Sequence, residues 1–379
     1  MQPAVPAHAI YLDNAATTAP DPRVIEAMRD ALVEHWGNPS SSHALGLAAE
    51  RALRLARERV AARLELDPAR VIFTSGGTEA LALALLGTGR QRQRPGHVLI
   101  SALEHAAVQR SAELLRAAGH TVETVAAEPG GYVDPERLLG MLRAETFLVA
   151  LMHVNNETGI VQPVAKVGAQ LRRDHPRVRL LVDAVQSYGV LPTSLTELGA
   201  HLLALSAHKL HGPKGVGCLV TAPGIAVTPL WGGGPQEQGR RPGTENVPGI
   251  VGLGVAAALG KGDASALRRA TDQLVAAVLA ARPGAYVVGD PARRAPHIAA
   301  VALPGLRADT LIHRLSEQGV FASSQSACQS RGPARQSHVF AALGVPASDG
   351  VLRLAPHRWL DDAALDRACN VLTRVLREC

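Results

Sequence analysis

An α/β architecture follows from three features of this 379-residue sequence: a mostly parallel sheet covered on both faces by helices, with a smaller α+β unit after it. Short apolar runs alternate with helix-length segments through the first half of the chain, the pattern of strands joined by right-handed crossovers. The runs are nearly continuous in apolar character, as strands buried on both faces are. Polar and glycine-rich clusters recur just beyond those runs, where open α/β sheets collect their chemistry.

Taken in order, Asp21-Pro22 starts a helix, a capping residue followed by proline at the first helical position, and Val24 to Val33 continues it with helical spacing. Ala44 to Leu64 reads as a second helix with its charges on one face. Strands are expected at Val71–Thr74, His97–Ser101, Thr121–Val125, Thr146–Met152, Arg179–Val182, Leu202–Leu205 and Val216–Val220. Helices at Glu79–Leu86, Ala106–Ala118, Pro135–Leu142 and Val164–Arg173 separate most of them, so parallel pairing is expected. Past a Gly/Pro-rich connector (231–235 and 240–243), two helices span roughly Asn246 to Ala281, and an α+β segment runs from about Ala285 to Cys379. The expected domains are 16–262, a large domain, and 263–379 together with 1–15, a small one.

Composition narrows the class. The apolar share of 47% is enough for a large core, and no apolar stretch approaches the roughly 20 residues that cross a bilayer. Met1 to Ala9 lacks the basic start and apolar core of a secretion signal, so a cytoplasmic protein with no membrane association is expected. Four cysteines, Cys218, Cys328, Cys369 and Cys379, form no Cys-x-x-Cys pair, which argues against a disulfide scaffold and a zinc site; no metal is expected. The net charge of +6 is scattered apart from Arg90, Arg92 and Arg94, and aromatics are 3%, too few for a base-stacking platform. Direct sequence-reading of nucleic acid is therefore not expected.

Lysine occurs only at 166, 209, 214 and 261. In Ser206-Ala-His-Lys209, directly after a buried strand, a desolvated amine is placed to form a Schiff base with an aldehyde, with Ser206 and His208 beside it to hold a phosphate; a solvated turn is the plainer alternative. Lys166 and Lys261 are expected on helix or loop exteriors, leaving Lys214 as the rival. Asp183 ends another buried strand and needs a partner. The protonated ring nitrogen of pyridoxal phosphate suits it, with Gln186 three residues on reaching the ring hydroxyl, although a capping aspartate would look the same. Thr74-Ser-Gly-Gly77-Thr78-Glu79 opens a helix whose N-terminus can cup a phosphate, with Thr78 as side-chain donor. His105 follows a strand and can lie over a pyridine ring and carry protons near neutrality.

Together these residues resemble the cysteine desulfurases, pyridoxal-phosphate enzymes of fold type I. The supporting strings are Tyr11-Leu-Asp-Asn-Ala-Ala-Thr-Thr18, Gly37-Asn-Pro-Ser40 with Ser42-His43, Thr74-Ser-Gly-Gly-Thr-Glu79 and Met152-His-Val-Asn-Asn-Glu157. They continue with Val182-Asp-Ala-Val-Gln-Ser187, Ser206-Ala-His-Lys209, Arg241-Pro-Gly-Thr244, Ser326-Ala-Cys328 and Val351-Leu-Arg353. The resemblance implies that Lys209 bonds the cofactor, Asp183 pairs its ring nitrogen, Gln186 and Asn156 face the ring hydroxyl, and His105 stacks on the ring. Gly77, Thr78, Ser206 and His208 would hold the phosphate, and Thr244 would reach the phosphate of a partner subunit, implying a homodimer. Arg353, assisted by Asn38 and Asn156, would clamp the carboxylate of L-cysteine. Cys328 would take the sulfur as a persulfide, with Arg331, Arg335 and His338 favouring its thiolate, and pass it to an acceptor protein serving iron–sulfur assembly, tRNA thiolation or DNA phosphorothioation. Departures from the family pattern are Gln325-Ser326 in place of glycine-serine, a basic stretch after Cys328, and Ala355-Pro-His-Arg358 in place of glycine-arginine. A selenocysteine lyase or an aminotransferase on the same fold, and a non-catalytic scaffold, are the competing readings.

Overall fold

The computed structural model describes residues 9–324 and 336–379. The chain begins with β1 (Ile10–Tyr11), α1 (Pro22–Glu34) and α2 (Ala44–Ala62). Strands and helices then alternate: β2 (Val71–Thr74), α3 (Gly77–Gly89), β3 (His97–Ser101), α4 (Ala106–Ala117), β4 (Thr121–Val125), α5 (Pro135–Gly140), β5 (Thr146–Ala150), α6 (Val164–Asp174), β6 (Arg179–Asp183), α7 (Leu195–Leu198), β7 (Leu202–Ser206) and β8 (Gly217–Thr221). Two long helices follow, α8 (Val247–Leu259) and α9 (Ala264–Ala281). The C-terminal part holds β9 (Tyr286–Val287), β10 (Ala299–Leu303), α10 (Ala308–Glu317), β11 (Val320–Phe321), α11 (His338–Ala342), β12 (Gly350–Leu354) and α12 (Asp362–Arg377).

Seven strands form the main sheet in the order β2-β8-β7-β6-β5-β3-β4. Their residues alternate between two cores. Val71, Phe73 and Leu99 face α1, α2, α6 and α8 on one side, whereas Ile72, Val98 and Ile100 face α3 and α4 on the other. Helix α3 is buried among sheet and neighbours, and its sequence is accordingly apolar nearly all round. The capping reading at Asp21 holds: its carboxylate accepts from the Arg23 N–H at 2.9 Å, with proline at the first helical turn.

One strand departs from the parallel pairing expected. β8 runs antiparallel to both β7 and β2. A short connection, 207–216, with a 3-10 turn at Ala207–Lys209 but no crossover helix, joins β7 to β8; its ends are closed by Ala207 N–H donating to the Val216 carbonyl at 3.1 Å, and strands joined this way return antiparallel. Gly217 of β8 thereby lies between Thr74 of β2 and Ser206 of β7.

A third core collects Leu274 and Val278 of α9, Val301 of β10, Leu352 of β12 and Leu372 of α12 around a three-stranded antiparallel sheet, β12-β10-β9. Ile10 and Leu12 join this core, because β1 pairs in parallel with β11. Among the described residues no single helix is long and apolar enough to cross a membrane.

Candidate active site

Five strand ends and the N-terminal segment converge on a cavity of about 180 Å³. β6 ends in Asp183 and leads to Gln186; β7 ends in Ser206 and leads to His208 and Lys209; the turn after β2 brings Gly77 and Thr78; His105 caps the helix after β3. Asn156 comes from the loop after β5, and Arg353 reaches in from β12 of the third core. All these residues line the same cavity.

Lys209 is held across the site by the segment after β1. Its Nζ donates to the Ala15 and Ala16 carbonyls, each at 2.6 Å. Ala15 also accepts from Gln186 Nε2 at 2.9 Å. Asp13, in the same segment, accepts from Arg353 Nη2 at 2.7 Å, while Arg353 Nη1 donates to the Asn156 carbonyl at 3.0 Å. Nothing local in the sequence assigns these carbonyls a role; only folding places them over Lys209.

Burial dominates the electrostatics. Asp183 is buried, which pushes its carboxyl up, against the opposing pull of His105, the Val185 N–H and Lys209. Burial lowers the His105 imidazole, opposed by Asp183 and reinforced by Lys209 and His338. His105 Nδ1 accepts from the Ala107 N–H at 3.1 Å, so Nε2 is the nitrogen left to carry a proton. His208 falls to about 4 through burial and the charges of Lys209, Lys214 and Lys261. Glu104, unassigned by the sequence reading, is fully buried and rises to about 8, through burial above all and with Asp183 adding to it; its Oε1 accepts from the Met152 N–H at 2.7 Å.

The residues present fit pyridoxal phosphate. Among the described residues, Gln186 Oε1 and Arg353 Nε are buried without a partner, polar atoms that a bound ring hydroxyl and a substrate carboxylate would satisfy. Asp183 accepts from the Val185 N–H at 2.9 Å on one oxygen, a buried acid of the type that keeps a pyridine nitrogen protonated. Beside the ring space, Gly76, Gly77, Thr78, Ser206, His208 and Lys214 line a more open hollow at the N-terminus of α3, suited to a phosphate. A Cβ on Gly77 would lie 2.9 Å from Val185 Cγ2, so only glycine lets that turn close on the site.

Other expectations fare differently. Asn38 and Thr244 are exposed and line neither cavity nor hollow; Asn38 Oδ1 accepts from the Ser40 N–H at 2.9 Å instead. Lys261, expected on an exterior, is 6% exposed, and its Nζ donates to the Gln186 carbonyl at 2.5 Å. The error has a physical cause: glycines flank Lys261, a pattern that reads as a solvated turn, and the burial comes from elements distant in sequence. Cys328, Arg331 and Arg335 lie outside the described residues. His338 Nε2 lies 3.0 Å from the Glu104 carbonyl, beside His105. Cys218 is buried in β8 and its thiol is pushed up by burial, as befits an inert core residue.

A lysine amine, a buried acid and a helix-end phosphate hollow at the carboxyl edge of this sheet define the class, a pyridoxal-phosphate enzyme. The aminotransferase class-V family matches residues 10–354, and the chain belongs to that family. A cysteine desulfurase of Trichormus azollae is 38% identical over 377 residues, covering 97% of this chain and 92% of its own. Among solved structures, a NifS-like protein superposes with a TM-score of 0.90 at 32% identity, over 98% of this chain and all (100%) of that one. SspA in complex with cysteine gives 0.82 at 29% identity, over 92% and 99%.

Proposed function

We infer that this chain is a pyridoxal-phosphate-dependent cysteine desulfurase that converts L-cysteine to L-alanine. The observation that carries the reading is the single cavity in which Lys209, Asp183, His105 and Arg353 meet beside the hollow at the start of α3. Pyridoxal phosphate, when bound, supplies an aldehyde that condenses with amines and a ring that withdraws electrons from the amino acid's carbons. Lys209 is the amine that would hold it, Asp183 would keep a proton on the ring nitrogen, and Thr78, Ser206 and His208 would receive the phosphate. Arg353 offers its planar fork to the cysteine carboxylate, its charge balanced by Asp13. Lys209 Nζ and His105 Nε2 are the two groups placed to take and return protons.

The sulfur acceptor on the enzyme is Cys328. Its thiolate forms an S–S bond to the substrate sulfur as the Cβ–S bond breaks; that pair stays on carbon, which takes a proton and leaves as alanine. The described residues on either side support this role. Ser323 pairs with the Arg353 backbone, whose N–H donates to the Ser323 carbonyl at 2.7 Å, and His338 Nε2 lies 3.0 Å from the Glu104 carbonyl, next to His105 in the chain. The thiolate is the nucleophile, and basic neighbours favour it. The test is direct. Purified protein should be yellow and release alanine and sulfide from cysteine with a reductant; Cys328→Ser should keep the colour and release no sulfide. Sulfide release by that variant would refute the mechanism.

A homodimer belongs to the same proposal. Thr244 is exposed and lies off the cavity, so its contact with a phosphate requires a second copy. Ile25, Leu32, Val33, Trp36, Leu45 and Leu47 are exposed on α1, α2 and their connection, an apolar area of the kind that subunits cover. The persulfide would then pass to an acceptor protein, seen as radiolabelled sulfur moving from cysteine to a captured partner.

A further inference from the structure

Gly260-Lys261-Gly262 links α8, which packs on the main sheet, to α9, which packs on the small one. Both glycines have positive φ, 67° and 111°, a conformation that lets the chain turn sharply with Lys261 pointing inward. The linker is clamped: Lys261 N–H donates to the Gly189 carbonyl at 2.9 Å, and Arg358 Nη1 donates to the Gly260 carbonyl at 2.5 Å. Lys261 Nζ donates to the Gln186 carbonyl at 2.5 Å. His297, ahead of β10, is buried too; among the described residues neither of its ring nitrogens makes a well-formed hydrogen bond, and the Gln186 carbonyl favours its protonated form.

Among the described residues Lys261 has no carboxylate partner, which is costly for a buried amine, and the charged group acting on it is another base, Lys209. The titratable groups that sense it, His208, His211 and His297, are basic as well. Burial holds Lys261 down to about 7. Such a residue is poor at stabilising a fold, yet three contacts run in series from it to the cofactor lysine. They are Lys261 Nζ to the Gln186 carbonyl, Gln186 Nε2 to the Ala15 carbonyl, and Lys209 Nζ to that same carbonyl.

We propose that Lys261 is a positioning residue for the cofactor: by fixing the Gln186 carbonyl it sets the Gln186 amide and the Ala15 carbonyl, and so ties the interdomain linker to Lys209. The inference rests on the pyridoxal-phosphate reading above.

The experiment compares wild type with Lys261→Met, Gln186→Leu and the double variant. Pyridoxal phosphate is titrated into each apoprotein by visible absorbance, and the pH midpoint of the absorbance change is measured with the melting temperature. Lys261→Met should bind the cofactor roughly tenfold more weakly, the size expected for one charge-assisted hydrogen bond, with a shifted midpoint. In the Gln186→Leu background the same change should weaken binding less than about twofold, because the two residues act as one unit. Lys261→Arg, which keeps a hydrogen-bond donor at that position, should recover part of the loss. Wild-type affinity and midpoint in Lys261→Met overturn the proposal, as does a loss of equal size in both backgrounds, which would mark a merely structural lysine. If Lys261→Met does not fold, Lys261→Gln takes its place under the same criteria. A wild-type protein that stays colourless with pyridoxal phosphate refutes the functional reading itself; a coloured wild type with an unaffected variant refutes only this inference.

Discussion

Gly217 offers a test of how the phosphate hollow is built. It is a strand residue that touches no ligand, yet a Cβ there would sit 2.5 Å from the Leu205 carbonyl oxygen, and 2.7 and 2.8 Å from the carbonyl carbon and Cα of Gly76. Comfortable carbon contacts begin near about 3.5 Å, so Gly217→Ala must part these backbones by roughly 0.7–1 Å. β7 is fixed by pairing on both sides, and the turn at Gly76 is the freer partner, so that turn moves outward. Hydrogen bonds of about 2.9 Å from the start of α3 to a phosphate would then stretch toward about 3.6 Å and be lost. Overpacking of this kind costs about 1–3 kcal/mol of stability. The lost phosphate contacts should weaken pyridoxal phosphate about ten- to a hundredfold. The assay is thermal melting of the apoprotein together with cofactor titration by absorbance. A variant that binds the cofactor as tightly as wild type, whatever its melting temperature, would show that the turn at 76–78 does not set the phosphate grip.

Further outcomes follow from the same geometry. Glu104 is raised to about 8 by burial, so it stays protonated in the fold while the unfolded chain ionises. Its stabilising contribution is therefore full below the ordinary carboxyl range and is lost as pH rises toward 8. Glu104→Gln should remove that slope and gain stability relative to wild type between pH 5 and 8.5 in urea melts; parallel curves would refute the assignment. Arg353→Lys keeps the charge but loses the fork, and should raise the KM for cysteine about tenfold or more with the cofactor colour intact. An unchanged KM would mean that the carboxylate binds elsewhere. Cys218, buried in β8, should resist thiol reagents in the native protein and react only on denaturation; labelling of folded protein at the rate of exposed Cys379 would contradict its burial.

Much of the site was legible because it depends on local rules. An apolar run of four or five residues followed by a polar cluster marks a strand end whatever the rest of the chain does, and Asp183, Ser206, Lys209, Thr78 and His105 all announce themselves in this way. Strand boundaries held to within a residue or two, since alternation between the two cores is written into each run, as at Val71-Ile-Phe73. The four-lysine inventory and the ordered motifs pointed to the chemistry without any coordinates.

What the sequence could not express is which distant segments close over those strand ends. Lys261 looks like a loop residue until α8 and α9 turn it inward, and Asp13 finds Arg353 only because β1 pairs with β11 and carries the N-terminal segment across the cavity. β8 shares the apolar pattern of its neighbours, and its reversed direction is decided by the turn that feeds it. Periodicity reports which face a side chain takes; partners tens to hundreds of positions away are chosen by the packing of whole elements, and that choice sets the burial and charge of Lys261, Glu104 and Arg353.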